Sequence, residues 1–285
     1  MTFSRAEITH FPKKSYLKVR DKLIDLSQPK IMGIVNVTPD SFYSESRSKD
    51  EWTLLTLVEK LISEGADIID IGACSTRPGA KKISVKEEKS RLIPAIKTVR
   101  KHFSEVMISA DTFRGSVAQD CIDEGVDMIN DIGGLEMDSR MLDVIAKNNV
   151  AYILMHGASN FSAMHCSDGQ VDLFREVSLF FSKQLKTLTS AGQTEVILDP
   201  GFGFGKTVQQ NYTLLDQMDM LSMFGLPILT GVSRKSMIYK KLQTSPEGAL
   251  NGTTCLNTVA LMKGSTFFRV HDVREMKQII ELIKS

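Results

Sequence analysis

The chain has 285 residues, is 42% hydrophobic and 24% charged, and carries a formal net charge of +1. That suits one large domain with a substantial core, and it excludes a global field for nucleic acid or an anionic membrane surface, leaving room for a local anion site. No basic start leads into an apolar segment, no apolar run approaches about 18 residues, and Cys74, Cys121, Cys166 and Cys255 form neither a CxxC pair nor a zinc-spaced cluster, so a cytoplasmic protein with reduced thiols is expected.

Residues 1–30 are mixed and polar and read as a lead-in, a short hairpin or lid. A regular rhythm then fills residues 31–285. Strand-like apolar runs occur at Ile31–Val37, Ile68–Ile71, Met107–Ala110, Met128–Ile132, Ala151–Met155, Val196–Leu198, Pro227–Thr230 and Thr266–Val270. Helical periodicity falls between them, over Glu51–Ser63, Val85–His102, Gly115–Asp123, Ser139–Lys147, Val171–Ser190, Asn211–Met220, Pro246–Met262 and Val273–Ile283. Gly65, Gly125 and Gly192 stand where glycines end helices. The segments 64–70 and 124–130 nearly repeat one another, each reading as helix end, tight turn and buried strand.

Eight strands alternating with eight helices imply parallel pairing with right-handed crossovers. Over about 250 residues, a closed single-domain α/β barrel, the (β/α)8 TIM barrel, fits better than an open doubly wound sheet. No GxGxxG follows the first strand, which weakens the dinucleotide-binding alternative. Three connections, residues 38–50, 71–84 and 156–170, are long for a barrel and fall after strand C-termini, where barrel enzymes keep mobile catalytic parts.

In a barrel the strand C-termini converge on one mouth. Taken in order they deliver Asn36, Asp70 with the Thr76-Arg77 loop, Asp111, Asn130 with Asp131, His156, Asp199, Ser233-Arg234-Lys235, and Arg269 with His271. Each has a plain explanation alone. Asp111 could cap a helix, Asn36 a turn, and His156 reads as a satisfied core histidine rather than a ligand. A barrel serving only as a scaffold has no need for a polar group at nearly every strand tip.

The groups sort by chemistry. Asp111, Asn130, Asp199 and Lys235 can address a heterocycle edge carrying both donors and acceptors. Arg77, Arg269, His271, Ser233 and Asn36 suit a phosphate or diphosphate. The loop Asp199-Pro200-Gly201-Phe202-Gly203-Phe204-Gly205-Lys206 adds close backbone approach and an aromatic wall. The mouth therefore reads as two-ended, with a flat heterocycle deep in the barrel and an anion nearer the rim.

These residues carry a family resemblance. Met32-Gly33-Ile34-Val35-Asn36-Val37-Thr38-Pro39-Asp40-Ser41-Phe42 and Asp70-Ile71-Gly72-Ala73-Cys74-Ser75-Thr76-Arg77-Pro78-Gly79-Ala80 resemble the two signatures of the dihydropteroate synthases. Further matches are Ser109–Thr112, Ile129–Ile132, Leu198–Lys206, Gly231–Ser236 and Arg269–Asp272, all in order over nearly the whole chain. The resemblance implies a (β/α)8 transferase of folate biosynthesis. Such an enzyme joins 6-hydroxymethyl-7,8-dihydropterin diphosphate to p-aminobenzoate and is a target of sulfonamides. It further implies Mg2+ as cofactor, a homodimer, small molecules as the other partners, and neither nucleic acid nor membrane.

Residue roles follow from the same resemblance. Asp111, Asn130, Asp199 and Lys235 are implied to hold the pterin, with Ile132, Met155 and Phe204 lining its slot and Arg269 over the ring. Asn36, Arg269 and His271 resemble the diphosphate set, with Asn36 also a metal ligand. Phe42, Thr76, Arg77, Pro78, Phe204 and Ser236 correspond to the p-aminobenzoate region. Asp111, Lys235, Arg269 and Asn36 are the implied catalytic residues. Two stretches depart from the family pattern: Tyr43-Ser44-Glu45-Ser46-Arg47 stands where Ser, Asp and Gly are usual, and 157–169 replaces a Gln-Gly-Pro-like segment.

Two other readings share the barrel. A corrinoid-dependent methyltransferase would keep the pterin carboxylates but would not need Arg77-Pro78, Ser233-Arg234-Lys235 or Arg269-Val270-His271. A non-catalytic pterin sensor or carrier would be marked by loss of the diphosphate residues, and none is lost.

Overall fold

The structure, a computed structural model, describes residues 14–20, 22–38, 47–74, 83–157 and 172–283. β1 (Tyr16–Val19) and β2 (Lys22–Asp25) form an antiparallel hairpin. The parallel strands follow: β3 (Lys30–Asn36), β4 (Ile68–Gly72), β5 (Met107–Asp111), β6 (Met128–Asp131), β7 (Ala151–Met155), β8 (Val196–Asp199), β9 (Leu229–Thr230) and β10 (Phe267–Val270). Their order is β8-β7-β6-β5-β4-β3-β10-β9. A parallel bridge between Leu198 and Ile228 joins the two ends and closes the ring. The expected (β/α)8 barrel is therefore the observed fold.

Alternation along the strands builds two cores. Ile69, Ile71, Ile108, Ala110, Ile129, Leu154, Leu198 and Phe268 pack outward against the helices. Residues of the other parity, Met32, Ile68, Met128, Ile153, Ile197, Leu229 and Phe267, fill the lower barrel. Phe267 and Phe268 are both fully buried, one in each core. A one-residue slip of β10 would exchange them and turn the polar Arg269 outward as well.

The hairpin is present but is no lid to the mouth. Leu17, Val19, Ile24 and Leu26 pack onto the lower core, at the strand N-termini. Glu195 holds it there, accepting from Lys14 Nζ and from Lys18 N at 2.7 Å each. The apolar alternation of the hairpin needs a buried surface, and the floor of the barrel offers one.

The near-repeat has a structural cause. Asp67 accepts from Ile31 N at 2.7 Å and Asp127 from Ile108 N at 2.8 Å. In each copy the aspartate entering a strand satisfies the second amide of the strand before it, and the preceding glycine turns the chain at φ +105° (Gly65) or +93° (Gly125).

Some helix limits differ from the periodicity. The segment expected at Asn211–Met220 is an α-helix over Val208–Asp216 followed by a 3-10 stretch over Met218–Phe224. Its start is set by a capping box, Thr207 with Gln210. The segment expected from Pro246 enters through a 3-10 turn, Glu247–Ala249, before the helix Leu250–Met262. A short helix, Ser236–Tyr239, was not legible at all, because four residues carry no period. Among the described residues no helix is long and apolar enough to cross a membrane.

Candidate active site

Strand register assembles the upper half of the barrel. Asn36 pairs with Gly72, Gly72 with Asp111, and Asp111 with Asn130, giving one layer across four neighbouring strands. Across the ring Met155 pairs with Asp199. Gly72 is the silent member. A Cβ there would sit 3.2 Å from the Asp111 Cβ, so glycine leaves that side chain its room.

Arg269 on β10 lies at the centre. Its Nε donates to Asp70 Oδ2 at 2.6 Å and its Nη2 to Asp111 Oδ2 at 2.8 Å. Asn130 Nδ2 donates to the same Asp70 oxygen at 3.2 Å. Asp70, Asp111, Asn130 and Asp199 are all buried. Burial pushes Asp111 up to about 7 against the pull of Arg269, and also raises Asp199 against Lys235. Burial likewise lowers Lys235 to about 8, while Asp199 opposes it. For Arg269 burial is outweighed by Asp70 and Asp111, which keep it firmly charged.

Beside these charges lies an apolar wall. Phe113, Ile132 and Met155 form a small cluster of their own, joined by Met137 and Phe204. Lys235 Nζ stands 4.5 Å from the Phe204 ring centroid and donates to the Phe202 carbonyl. The wall and the charged groups thus share Lys235 and Phe204.

The glycine-rich loop is shaped by three left-handed turns, at Gly201, Gly203 and Gly205. At Gly201 the need is absolute: a Cβ would fall 1.9 Å from the His156 carbonyl oxygen. Lys206 then locks the loop from within. Its ammonium donates to the carbonyls of Gly201 at 2.9 Å, Phe204 at 3.1 Å and His156 at 3.1 Å. Asn211 accepts from Gly203 N at 2.6 Å and completes the frame.

At the rim Ser233 Oγ and His271 Nδ1 are 3.0 Å apart, and the His271 amide donates to Ser233. His271 itself is exposed. Ser236 is the first residue of the short helix and directly follows Lys235. Asn36, partly buried, ends β3.

Three expected tip residues face elsewhere. Asp131 turns out of the mouth and accepts from Gly133 N, Leu135 N and the Tyr152 hydroxyl, the last at 2.6 Å. Arg234 is taken by Asp272 through two bonds, at 2.9 and 2.7 Å, and does not join an anion set. His156 is a core histidine but not a satisfied one: its ring packs edge-on to Phe180 while Nδ1 has no hydrogen-bond partner. Burial holds it near 3, so the ring is neutral. Cys74 is no activated thiol, since burial pushes it up to about 12. Phe42, Thr76, Arg77 and Pro78 lie outside the described residues, as does Cys166.

Two residues of the mouth carried no assigned role in the sequence. Asp70 is one carboxylate among several strand tips, and only its shared contact with Arg269 and Asn130 marks it. Lys206 follows a Gly-Phe loop like many surface lysines. The multiple positive-φ glycines before it are the one signal that the chain curls back around its ammonium.

The mouth can thus hold a flat, donor- and acceptor-edged ring between an apolar wall and buried carboxylates. A guanidinium beside Asp111 and a histidine–serine pair at the rim add groups that can receive an anion. Comparison with known proteins agrees. The profile of the family described as pterin binding enzyme matches residues 32–271. The dihydropteroate synthase of Escherichia coli (strain K12) is 38% identical over 92% of this chain and 93% of its own length. A solved dihydropteroate synthase of Yersinia pestis, in complex with a sulfonamide drug, superposes with a TM-score of 0.87 at 35% identity, covering 94% of this chain and 98% of that one. The Xanthomonas albilineans dihydropteroate synthase with 4-aminobenzoic acid gives a TM-score of 0.87 at 33% identity, over 95% of this chain and 97% of that one.

Proposed function

The chain belongs to the pterin binding enzyme family, and from that premise we propose that it is a transferase that joins 6-hydroxymethyl-7,8-dihydropterin diphosphate to p-aminobenzoate. The products are 7,8-dihydropteroate and diphosphate, a step of folate biosynthesis open to sulfonamide inhibition. The observation that carries this reading is the shared Arg269. It touches Asp111 at the ring end, and two residues on in the chain His271 pairs with Ser233 at the rim.

In this reading Asp111, Asn130, Asp199 and Lys235 hold the pterin edge, with Ile132, Met155 and Phe204 against its face. Asn36, Arg269 and His271 receive the diphosphate. Phe42, Thr76, Arg77, Pro78, Phe204 and Ser236 form the p-aminobenzoate region. Residues 31–285 are the catalytic barrel and residues 1–30 its lead-in.

The chemistry follows from charge. As the C–O bond to diphosphate breaks, positive charge develops on the exocyclic methylene and spreads into the electron-rich dihydropterin. Asp111 and Asp199 stabilise that charge in a desolvated slot. The arylamine of p-aminobenzoate then forms the new C–N bond and loses its proton. No protein nucleophile takes part.

Among the described residues no group of three or more His, Cys, Asp or Glu is arranged to cage a metal. Mg2+ keeps several waters and is bound through substrate phosphates with one or two protein carboxylates as a rule, and here the amide oxygen of Asn36 would be the protein's ligand. When bound, the ion neutralises charge on the leaving diphosphate.

The protein acts in the cytoplasm as a homodimer. The exposed apolar residues Val259, Met262, Leu282 and Ile283 on the last two helices support the dimer. Sedimentation as a monomer at micromolar concentration would remove the dimer. The test of the reaction is diphosphate release with Mg2+, with and without p-aminobenzoate, with dihydropteroate identified by mass. Release that needs both substrates supports it, whereas pterin binding without turnover sinks it.

A further inference from the structure

We propose that Asp70 is the positioning residue of the mouth, setting both the stance of Arg269 and the amide orientation of Asn130. The inference rests on the synthase reading for its kinetic consequences, though not for its geometry. Asp70 is fully buried on β4, one layer below the Gly72–Asp111–Asn130 row. Its Oδ1 is buried with no partner in the protein. Its Oδ2 takes two donors from two other strands, Arg269 Nε at 2.6 Å and Asn130 Nδ2 at 3.2 Å.

Each contact settles an ambiguity in its partner. A guanidinium has five N–H donors and a long flexible stem. Holding it at Nε by Asp70 and at Nη2 by Asp111 fixes its plane and leaves its other N–H groups for an anion. An amide can present either its oxygen or its nitrogen to a ligand. A carboxylate beside it repels the oxygen and accepts the nitrogen, so Asn130 must turn its Oδ1 away from Asp70. That Oδ1 is buried with no partner in the protein, as an acceptor kept for a ring N–H would be. When a ligand draws Asp111 away from Arg269, the bond to Asp70 remains and the guanidinium keeps its place.

The test is Asp70→Asn, which keeps the shape and removes the charge. Kinetic constants for both substrates would be measured beside the parent enzyme, with calorimetric binding of the pterin lacking diphosphate. The value of kcat/KM for the pterin diphosphate should fall by roughly 10- to 100-fold, as when supporting contacts to ligand-binding groups are lost. The KM for p-aminobenzoate should stay within about 2-fold, and pterin affinity should fall because Asn130 is free to flip. In an Arg269→Gln background the loss from D70N should shrink, since part of its route is gone. Unchanged pterin constants, or an equal loss for both substrates together with a lower Tm, would overturn the proposal.

Should D70N fail to fold, the parent enzyme still answers through its arginine Nε–H NMR signals, with Arg269 assigned by R269K. The Arg269 Nε–H signal should stay visible and protected from solvent exchange when Mg2+ and diphosphate are added, and its loss to exchange broadening overturns the idea. A parent enzyme that binds pterin without turnover would refute the synthase reading alone, and pterin affinity would then decide the role of Asp70.

Discussion

Arg269 Nη2 lies 2.8 Å from Asp111 Oδ2, so the two charges that would face one substrate already face each other across the barrel. Neither is fully spent on the contact. Arg269 keeps Asp70, and Asp111 is held by burial near neutrality rather than deep in its ionised range. Asp111→Asn should therefore separate function from stability. Losing a carboxylate that stabilises developing positive charge should lower kcat on the order of 10²- to 10³-fold. The Tm at pH 8 should equal or exceed that of the parent, because a group with a raised folded pKa weakens the fold when ionised. Undiminished turnover would remove Asp111 from the mechanism, and a large fall in Tm would make it a structural residue.

The pH profile carries a second expectation. The carboxylate of Asp111 and the ammonium of Lys235 are the working forms. With Asp111 raised to about 7 and Lys235 lowered to about 8, kcat/KM for the pterin diphosphate should rise through about 7 and fall above about 8. D111N should lose the acidic limb and keep the basic one. A flat profile from pH 6 to 9 would contradict both assignments.

Lys206 offers a test of how the aromatic wall is held. Methionine at this position keeps the length of the stem and removes the donor to three carbonyls. Unpaired carbonyls cost about 1–3 kcal/mol each when buried, and the partly buried site should lose about 2 kcal/mol overall. For a domain of this size that lowers Tm by roughly 4–8 °C. The pterin KM should rise in parallel, because Phe204 shares the loop. A Tm within about 1 °C of the parent would show that the glycines alone shape it.

The fully buried Glu88 accepts at 2.6 Å from the Oγ1 of Thr112, the residue directly after Asp111 in the chain, and pairs with Arg114. Glu88→Ala leaves that guanidinium in the interior without its partner, and breaking a buried pair in this way costs about 3–5 kcal/mol. Glu88→Gln retains an acceptor and should lose clearly less. Urea unfolding of both variants is the measurement, and equal midpoints for E88A and the parent would refute a structural role.

Much of this site was legible because barrels impose a rule on sequence. A parallel strand buried on both faces reads as an apolar run, and the residue at its C-terminal tip must reach the mouth. Asp111, Asn130, Asp199 and Arg269 follow from that rule, Lys235 lies five residues past the end of β9 where the short helix begins, and the structure brings the five together at one mouth. The same rule could not tell Asn130 from Asp131, adjacent residues at one tip. Strand parity separates them, sending one inward to Asp70 and the other outward to Tyr152. Nor could it tell Lys235 from Arg234, which Asp272 claims. Parity and partner depend on where the strand ends to within one residue, which periodicity does not resolve.

By itself the sequence determined the alternation of strands and helices, the closed barrel, and the chemical types gathered at its mouth. These rest on local spacing and on the burial that each apolar residue requires. The tertiary structure decided the pairings: Asp70 beneath Arg269, Lys206 inside its own loop, and the hairpin at the floor rather than over the mouth. Such choices join residues up to 199 positions apart in the chain, and nothing local encodes them. They follow from strand register and from the cost of leaving any buried charge or polar atom unpaired.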